Sequence, residues 1–380
     1  MRSVRPRDIR ASIAAPSFAS SATCEASRDA APVRPNSRPR RKPLGDAVTL
    51  DFRVLGVAVG HATDVAGATG LTIIRGMDAP MRGGAAVFGR ASGTRELHTL
   101  SADHLVDRID ALMLTGGSAY GLDAAAGVMR WMEERARGFA VPGGVVPIVP
   151  AAVIFDLVPL GRFDARPSAA MAYEACDSAS PNNIAEGSIG AGTGATLGKI
   201  AGPTRAMKGG IGGAIAGNGT WHVGALTVVN ALGDVRDASG RIIAGARGDD
   251  RGIAPFTFVD AARQLASMGT PMSADRIGAR QATNTTLSVV ITDAPLGRVE
   301  LGQLARAAGA ALFRRITPTG TTVDGDVVFS LAPATSPAPL GNATTAIEAL
   351  AVAVLEKAIE RAVIMARGRD GVPGLADPTA

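Results

Sequence analysis

Glycine recurs at gaps of one to four residues through 187-GSIGAGTGATLGK-199 and again through 208-KGGIGGAIAGNG-219, and that spacing rules out a long regular helix across the middle of the chain. Such density suits tight turns and segments that approach one another closely. The whole chain of 380 residues follows the same habit, with 47 Gly and 23 Pro. Aromatic residues make up only 4 %, so the core must be built from Ala, Val, Leu and Ile. Hydrophobic residues at 46 % against 19 % charged residues describe a globular protein with a large core.

Gly190-Ala-Gly-Thr-Gly-Ala195 formally fits the dinucleotide fingerprint, in which glycine lets a pyrophosphate approach a helix N-terminus. Two partners of that fingerprint are missing. No strong strand precedes it, and the stretch from Lys208 to Ile215 carries no acid to hold a ribose. A phosphate-binding P-loop fails too, because Gly198-Lys199 is followed by Ile200. Close packing around some other site is the better reading, with non-catalytic nucleotide binding by the Gly190 loop as an alternative.

A sequence pI of 9.7 suggests nucleic acid until the charge is located. Residues 1–45 hold ten Lys/Arg against three acids, a net +7 of the chain's total +5, which leaves −2 for residues 46–380. Binding of nucleic acid by the body therefore loses its main warrant. The head interleaves Ser, Pro, Ala and Arg without an apolar period and is expected to be a disordered basic extension. It supplies no apolar export segment, and no apolar run in the chain reaches the ~18 residues of a membrane span. A cytoplasmic protein without membrane contact is expected. Cys24 and Cys176 are not expected to pair, and His61, His98, His104 and His222 form no ligand-spaced set, so neither a metal nor a cofactor is expected.

The body alternates strands, helices and glycine loops. Strands are expected at 48–59, 70–74, 112–115, 145–157, 223–230 and 323–331, and helices at 101–112, 122–137, 169–178, 300–315 and 345–367. Strands and helices without a strict βαβ rhythm point to an α+β layered fold.

Two segments carry possible chemistry. In 282-ATNTTLSVVITDAPL-296 four polar residues, Thr283 to Thr286, stand directly before a β-branched run closed by an Asp-Ala-Pro turn. The Asn284–Thr285 bond therefore sits at a strand entrance. A hydroxyl there can attack the preceding carbonyl, and hydrolysis of the ester leaves a new N-terminal threonine whose α-amine, with a pKa of about 8, is a built-in base. On spacing alone a plain polar turn is the favoured reading of Asn-Thr-Thr. In 321-TTVDGDVVFSL-331, Asp324 and Asp326 point to one face if the strand already runs there, or form an ordinary Asp-Gly turn.

Taken together, Gly60-His-Ala-Thr-Asp64, Gly93-Thr-Arg-Glu96, Leu114 to Ala125, Val146 to Leu157, Gly190 to Ala195, Lys208-Gly-Gly-Ile-Gly212, Asn284-Thr-Thr-Leu287 and Asp324-Gly-Asp326 closely resemble the DmpA-like aminopeptidase/esterase family, which includes β-aminopeptidases and nylon-oligomer hydrolases. The resemblance runs over about residues 50–367, in order. It implies a four-layer αββα sandwich like that of N-terminal-nucleophile hydrolases, formed by residues 46–380 as one domain and self-cleaved into 1–284 and 285–380. It also implies a homo-oligomer, a tetramer by resemblance, acting on a small peptide or amide substrate.

By the same resemblance Thr285 is the nucleophile and Asn284–Thr285 the scissile bond. Asp324 and Asp326 orient the threonine, and Asn230 is an oxyanion donor worth about 3 kcal/mol. Lys208 supplies positive charge near the amine. Where aminopeptidase members place a serine nucleophile this chain has Thr285, and where they place a tyrosine near the oxyanion it has Phe155. The expected activity is hydrolysis of amide bonds through a threonine acyl-enzyme. Acyl transfer of the ornithine acetyltransferase type is the alternative enzyme.

Overall fold

The computed structural model describes residues 50–248, 255–268, 283–335, 337–338 and 340–378. All belong to the compact unit Gly45–Ala380, and the expected extension over residues 1–45 lies outside them.

Two five-stranded sheets form the centre. The first contains β1 (Val57–Asp64), β2 (Thr69–Gly76), β4 (Thr94–Arg95), β5 (Ala111–Thr115) and β6 (Ala151–Val153), in the order β1-β2-β5-β6-β4. The second contains β3 (Met81–Val87), β7 (Gly210–Gly217), β8 (His222–Asn230), β9 (Thr285–Thr292) and β10 (Val327–Pro333), in the order β7-β8-β9-β10-β3. Helices α1 (Ala125–Glu133) and α2 (Ala169–Asp177) pack on the first sheet. Helices α3 (Arg298–Ala308) and α5 (Ala343–Ile364) cover the second, and α4 (Ala310–Arg315) packs against α5.

Three apolar clusters fill the spaces between these layers. Ile74, Leu112 and Ala152 of the first sheet meet Leu226, Leu287, Val289 and Phe329 of the second. The outer face of the second sheet packs Val223, Val290 and Val328 on Leu301, Leu355 and Ile359. The outer face of the first packs Ile73 and Met113 on Val128, Trp131 and Ala172. The result is the expected αββα sandwich. Every residue of β9 is buried: Leu287, Val289 and Ile291 face the core between the sheets, while Thr286, Ser288, Val290 and Thr292 share the other face, and each large aliphatic side chain there contributes roughly 1.5–3 kcal/mol.

Several expected elements differ. Residues 101–110 form an irregular loop whose carbonyls at Ser101, His104 and Val106 take the guanidinium of Arg298, leaving Leu105 91 % exposed. The apolar stretch 145–157 is broken by Pro147 and Pro150, which cannot donate to a ladder, and only 151–153 joins the sheet. The helix expected over 300–315 divides at Gly309, where a Cβ would stand 2.0 Å from the ring of Phe88. β10 begins at Val327, so Asp324 and Asp326 lie in the turn before it and owe their directions to the turn rather than to strand pleating. Among the described residues no helix is long and apolar enough to cross a membrane.

Candidate active site

Strand direction brings the polar segments together. β8 runs antiparallel to β9 and pairs Asn230 with Thr285, so the end of one strand meets the beginning of the other. β10 runs parallel to β9, so its entrance lies at the same edge, and Asn284 bridges to Asp324. Three segments distant in sequence thus converge on the Asn284–Thr285 bond.

Thr285 is 4 % exposed and Asn284 1 %. The Thr285 hydroxyl donates to the carbonyl oxygen of Asn284 at 2.6 Å, and the backbone N–H of Gly325 donates to that same oxygen at 2.9 Å. A hydroxyl therefore stands over the carbonyl that precedes it, with an N–H donor already in place. A Cβ at position 325 would lie 2.7 Å from Thr285 Oγ1 and 2.8 Å from the carbonyl of Ala91, which explains the glycine between the two acids.

Both aspartates are buried and tied down. Asp326 Oδ1 accepts the N–H of Thr286 at 2.6 Å, while its Oδ2 accepts the Thr319 hydroxyl at 2.6 Å and the Gly320 N–H at 2.9 Å. Asp324 Oδ2 accepts the Thr321 hydroxyl at 2.6 Å and its N–H at 2.9 Å. Burial pushes the Asp324 carboxyl up to about 6, and the charge of Asp326 adds to the rise. Burial also raises Asp326.

Asn230 is oriented from behind. The Thr196 N–H at 3.0 Å and the Lys199 ammonium at 2.9 Å both donate to its Oδ1, which turns its amide N–H groups toward the carbonyls of Thr283 at 3.0 Å and Phe155 at 3.1 Å. Asn230 thus contacts the carbonyl one residue upstream of the expected one. Phe155 takes part through its backbone, and its half-buried ring has no hydroxyl to offer.

The lysine that touches this segment is Lys199. Its Nζ donates to Thr283 O at 2.6 Å, to Asn230 O at 3.1 Å and to Asn230 Oδ1. Burial pulls its pKa down to about 7, against the opposing pull of Asp324 and Asp156. Lys208, the lysine expected here, spends its ammonium on the carbonyls of Gly192, Ala195 and Gly209 at 2.8, 2.9 and 2.7 Å. Burial brings it down to about 7 as well, with Arg369 adding to the fall. The sequence does hold a signal for Lys199, since Gly198-Lys199 ends the glycine run with a cation.

The glycine loop itself turns carbonyls toward an ammonium. That polarity is opposite to a phosphate cradle, which presents N–H groups.

A model of peptidase family S58 matches residues 52–376. An uncharacterized aminopeptidase of Mycobacterium tuberculosis is 41 % identical over 303 residues, covering 76 % of this chain and 84 % of that protein. A 6-aminohexanoate-oligomer endohydrolase of Kocuria sp. is 32 % identical over 291 residues, covering 74 % of each chain. In fold, the chain is similar to the L-aminopeptidase D-Ala-esterase/amidase of Ochrobactrum anthropi, described as a variant of the Ntn hydrolase fold, with a TM-score of 0.61 at 21 % identity over 88 % of this chain and 93 % of that one. The chain therefore belongs to peptidase family S58, and it is a hydrolase of amide bonds.

Proposed function

We propose that this protein is a self-processing threonine hydrolase that cleaves its own Asn284–Thr285 bond and then uses Thr285 on amide substrates. The observation that carries the reading is the pair of contacts on Asn284 O, from the Thr285 hydroxyl at 2.6 Å and the Gly325 N–H at 2.9 Å. In the first stage Thr285 Oγ bonds to the Asn284 carbonyl carbon, and the C–N bond breaks. The hydroxyl proton ends on the freed amine, and water hydrolyses the ester to an Asn284 carboxylate. Gly325 N–H is the oxyanion donor for this step.

In the second stage the Thr285 amine takes the proton of its own hydroxyl as Oγ attacks a substrate carbonyl, and it returns that proton to the leaving amine. Asp324 and Asp326 hold the threonine and its neighbour in register and favour the protonated amine as the reaction proceeds. Lys199, with Asn230, supplies donors on the acyl side. The relatives named aminopeptidase and oligomer endohydrolase support amides as the substrates.

The test is the intact mass of the purified protein after standing at neutral pH. The reading expects a C-terminal piece of 96 residues beginning Thr-Thr-Leu-Ser, and a Thr285→Ala protein that stays whole. An unbroken wild-type chain, or a Thr285→Ala chain that is cut at the same bond, would overturn it.

A further inference from the structure

We propose that Asp156 is a positioning residue of the reaction, one that acts on the Thr285 site through Asn230 and Lys199 and touches no substrate itself. The proposal rests on the reading of Thr285 as the nucleophile.

Asp156 lies just beyond β6 and is 1 % exposed. Its two oxygens hold two different elements. Oδ1 accepts the N–H of Gly117, just past β5, and Oδ2 accepts the hydroxyl of Thr69, the first residue of β2, both at 2.7 Å. Room for the carboxylate is kept by glycine, since a Cβ at Gly116 would stand 2.1 Å from Oδ2 and one at Gly194 2.8 Å from it. Gly194 belongs to the glycine loop whose nucleotide fingerprint lacks its partners, so part of that loop serves to close around a buried acid.

The clamp matters because of the residue before it. The carbonyl of Phe155 accepts Asn230 Nδ2 at 3.1 Å, and the other acceptor of that amide is the Thr283 carbonyl at 3.0 Å. Tying Asp156 to β2 and to the turn after β5 therefore fixes the carbonyl that sets the rotation of Asn230. A displacement of about 1 Å in a positioning contact can cost about a hundredfold in rate.

The charge matters for Lys199. A protonated amine has three N–H groups, and here they meet three acceptors: Thr283 O, Asn230 O and Asn230 Oδ1. The neutral amine leaves one of the three without a donor. Burial brings Lys199 down to about 7 while Asp324 and Asp156 oppose the fall, so about half of the molecules carry the proton at pH 7. Lys208 also feels Asp156, and burial and Arg369 pull it down. Burial raises Asp156 itself to about 6, so it is largely ionised where Lys199 titrates. Without that charge, Lys199 gives up its proton at a lower pH.

Asp156→Asn separates the two contributions from mere packing. The amide keeps the acceptor for Gly117 N–H and can donate to the Thr69 hydroxyl oxygen, so shape is retained and charge is lost. The experiment follows self-cleavage of full chains made in a short cell-free synthesis and diluted into buffers from about pH 5.5 to about 9, with the 96-residue fragment as the readout. In the wild type the rate should fall through about pH 7 as Lys199 loses its proton. In Asp156→Asn that falling limb should move down by about half a unit or more, and the rate at pH 7 should drop about tenfold or more. A variant that cleaves like the wild type, or that is slowed equally at every pH, overturns the proposal and leaves self-processing standing. If circular dichroism shows that Asp156→Asn does not fold, Thr69→Val decides: it keeps the charge and removes one clamp, so cleavage should slow about threefold or more with the limb in place. Cleavage of Thr69→Val at the wild-type rate then overturns the proposal. A wild-type chain that stays whole at every pH overturns the Thr285 reading as well.

Discussion

Gly325 stands so close to Thr285 that a Cβ added to it would lie 2.7 Å from the threonine Oγ, while its own N–H reaches the Asn284 carbonyl at 2.9 Å. One residue thus leaves room for the hydroxyl and supplies the donor for the carbonyl that the hydroxyl faces.

Gly325→Ala should slow self-cleavage by about a hundredfold or more, the usual cost of losing an oxyanion donor, because the methyl must displace either Oγ or the N–H. The time course of the 96-residue fragment on a denaturing gel reads the effect. Cleavage at the wild-type rate would remove Gly325 from the machinery.

Lys199→Gln should leave the fold intact and slow both cleavage and turnover. Glutamine can still donate to one acceptor, but not to Thr283 O, Asn230 O and Asn230 Oδ1 together. We expect a rate loss of about ten- to a hundredfold with a melting temperature within a few degrees of wild type. A variant that cleaves and turns over normally would make Lys199 a packing residue.

Lys208→Met should act on stability, because three buried carbonyls lose their donor, at a cost of about 3 kcal/mol or more. The pH dependence has a definite sign. With the folded pKa near 7 and the unfolded value at 10.5, the unfolded chain binds more protons between those limits, so stability rises with pH across that window. Lys199 acts in the same direction, and the difference between wild type and Lys208→Met isolates Lys208. Thermal unfolding should show a flatter pH response in the variant from pH 7.5 to 10.

Asp324 titrates near pH 6, so a carboxylate needed at the Thr285 amine predicts a rate that climbs through about pH 6. Asp324→Asn should slow the reaction and remove that limb from the pH profile. An unchanged acid limb in the variant would assign it to another group.

The sequence was most informative where local chemistry and long-range packing agree. The polar entrance at 283–286 and the apolar run after it identify β9, and Asn230 at the end of β8 proves to be its antiparallel partner. Distances between segments were not legible. Lys199 and Lys208 are nine residues apart in one glycine-rich stretch, and only the path of the loop decides which reaches Thr283 and which turns back on Gly192. Asp156 was missed as well. Its carboxylate takes the Thr69 hydroxyl and the Gly117 N–H, both at 2.7 Å, and burial pushes it up to about 6, yet its residues of contact lie 87 and 39 positions away. Helix 101–112 failed because its apolar spacing was countered by an arginine nearly two hundred residues later.

The Asn284–Thr285 bond lies at the mouth of a strand that is zipped on both flanks, to β8 on one side and β10 on the other. Among the described residues, those from 285 onward provide two of the five strands of that sheet and the helices α3 and α5 on its outer face, while residues before 285 provide the other three strands. A nick there would make two polypeptides that share a single hydrophobic interior, each lacking the surface that the other completes. Such a protein is a natural split pair: its halves are tethered by sheet and core instead of by a peptide bond, and they should melt together in one transition.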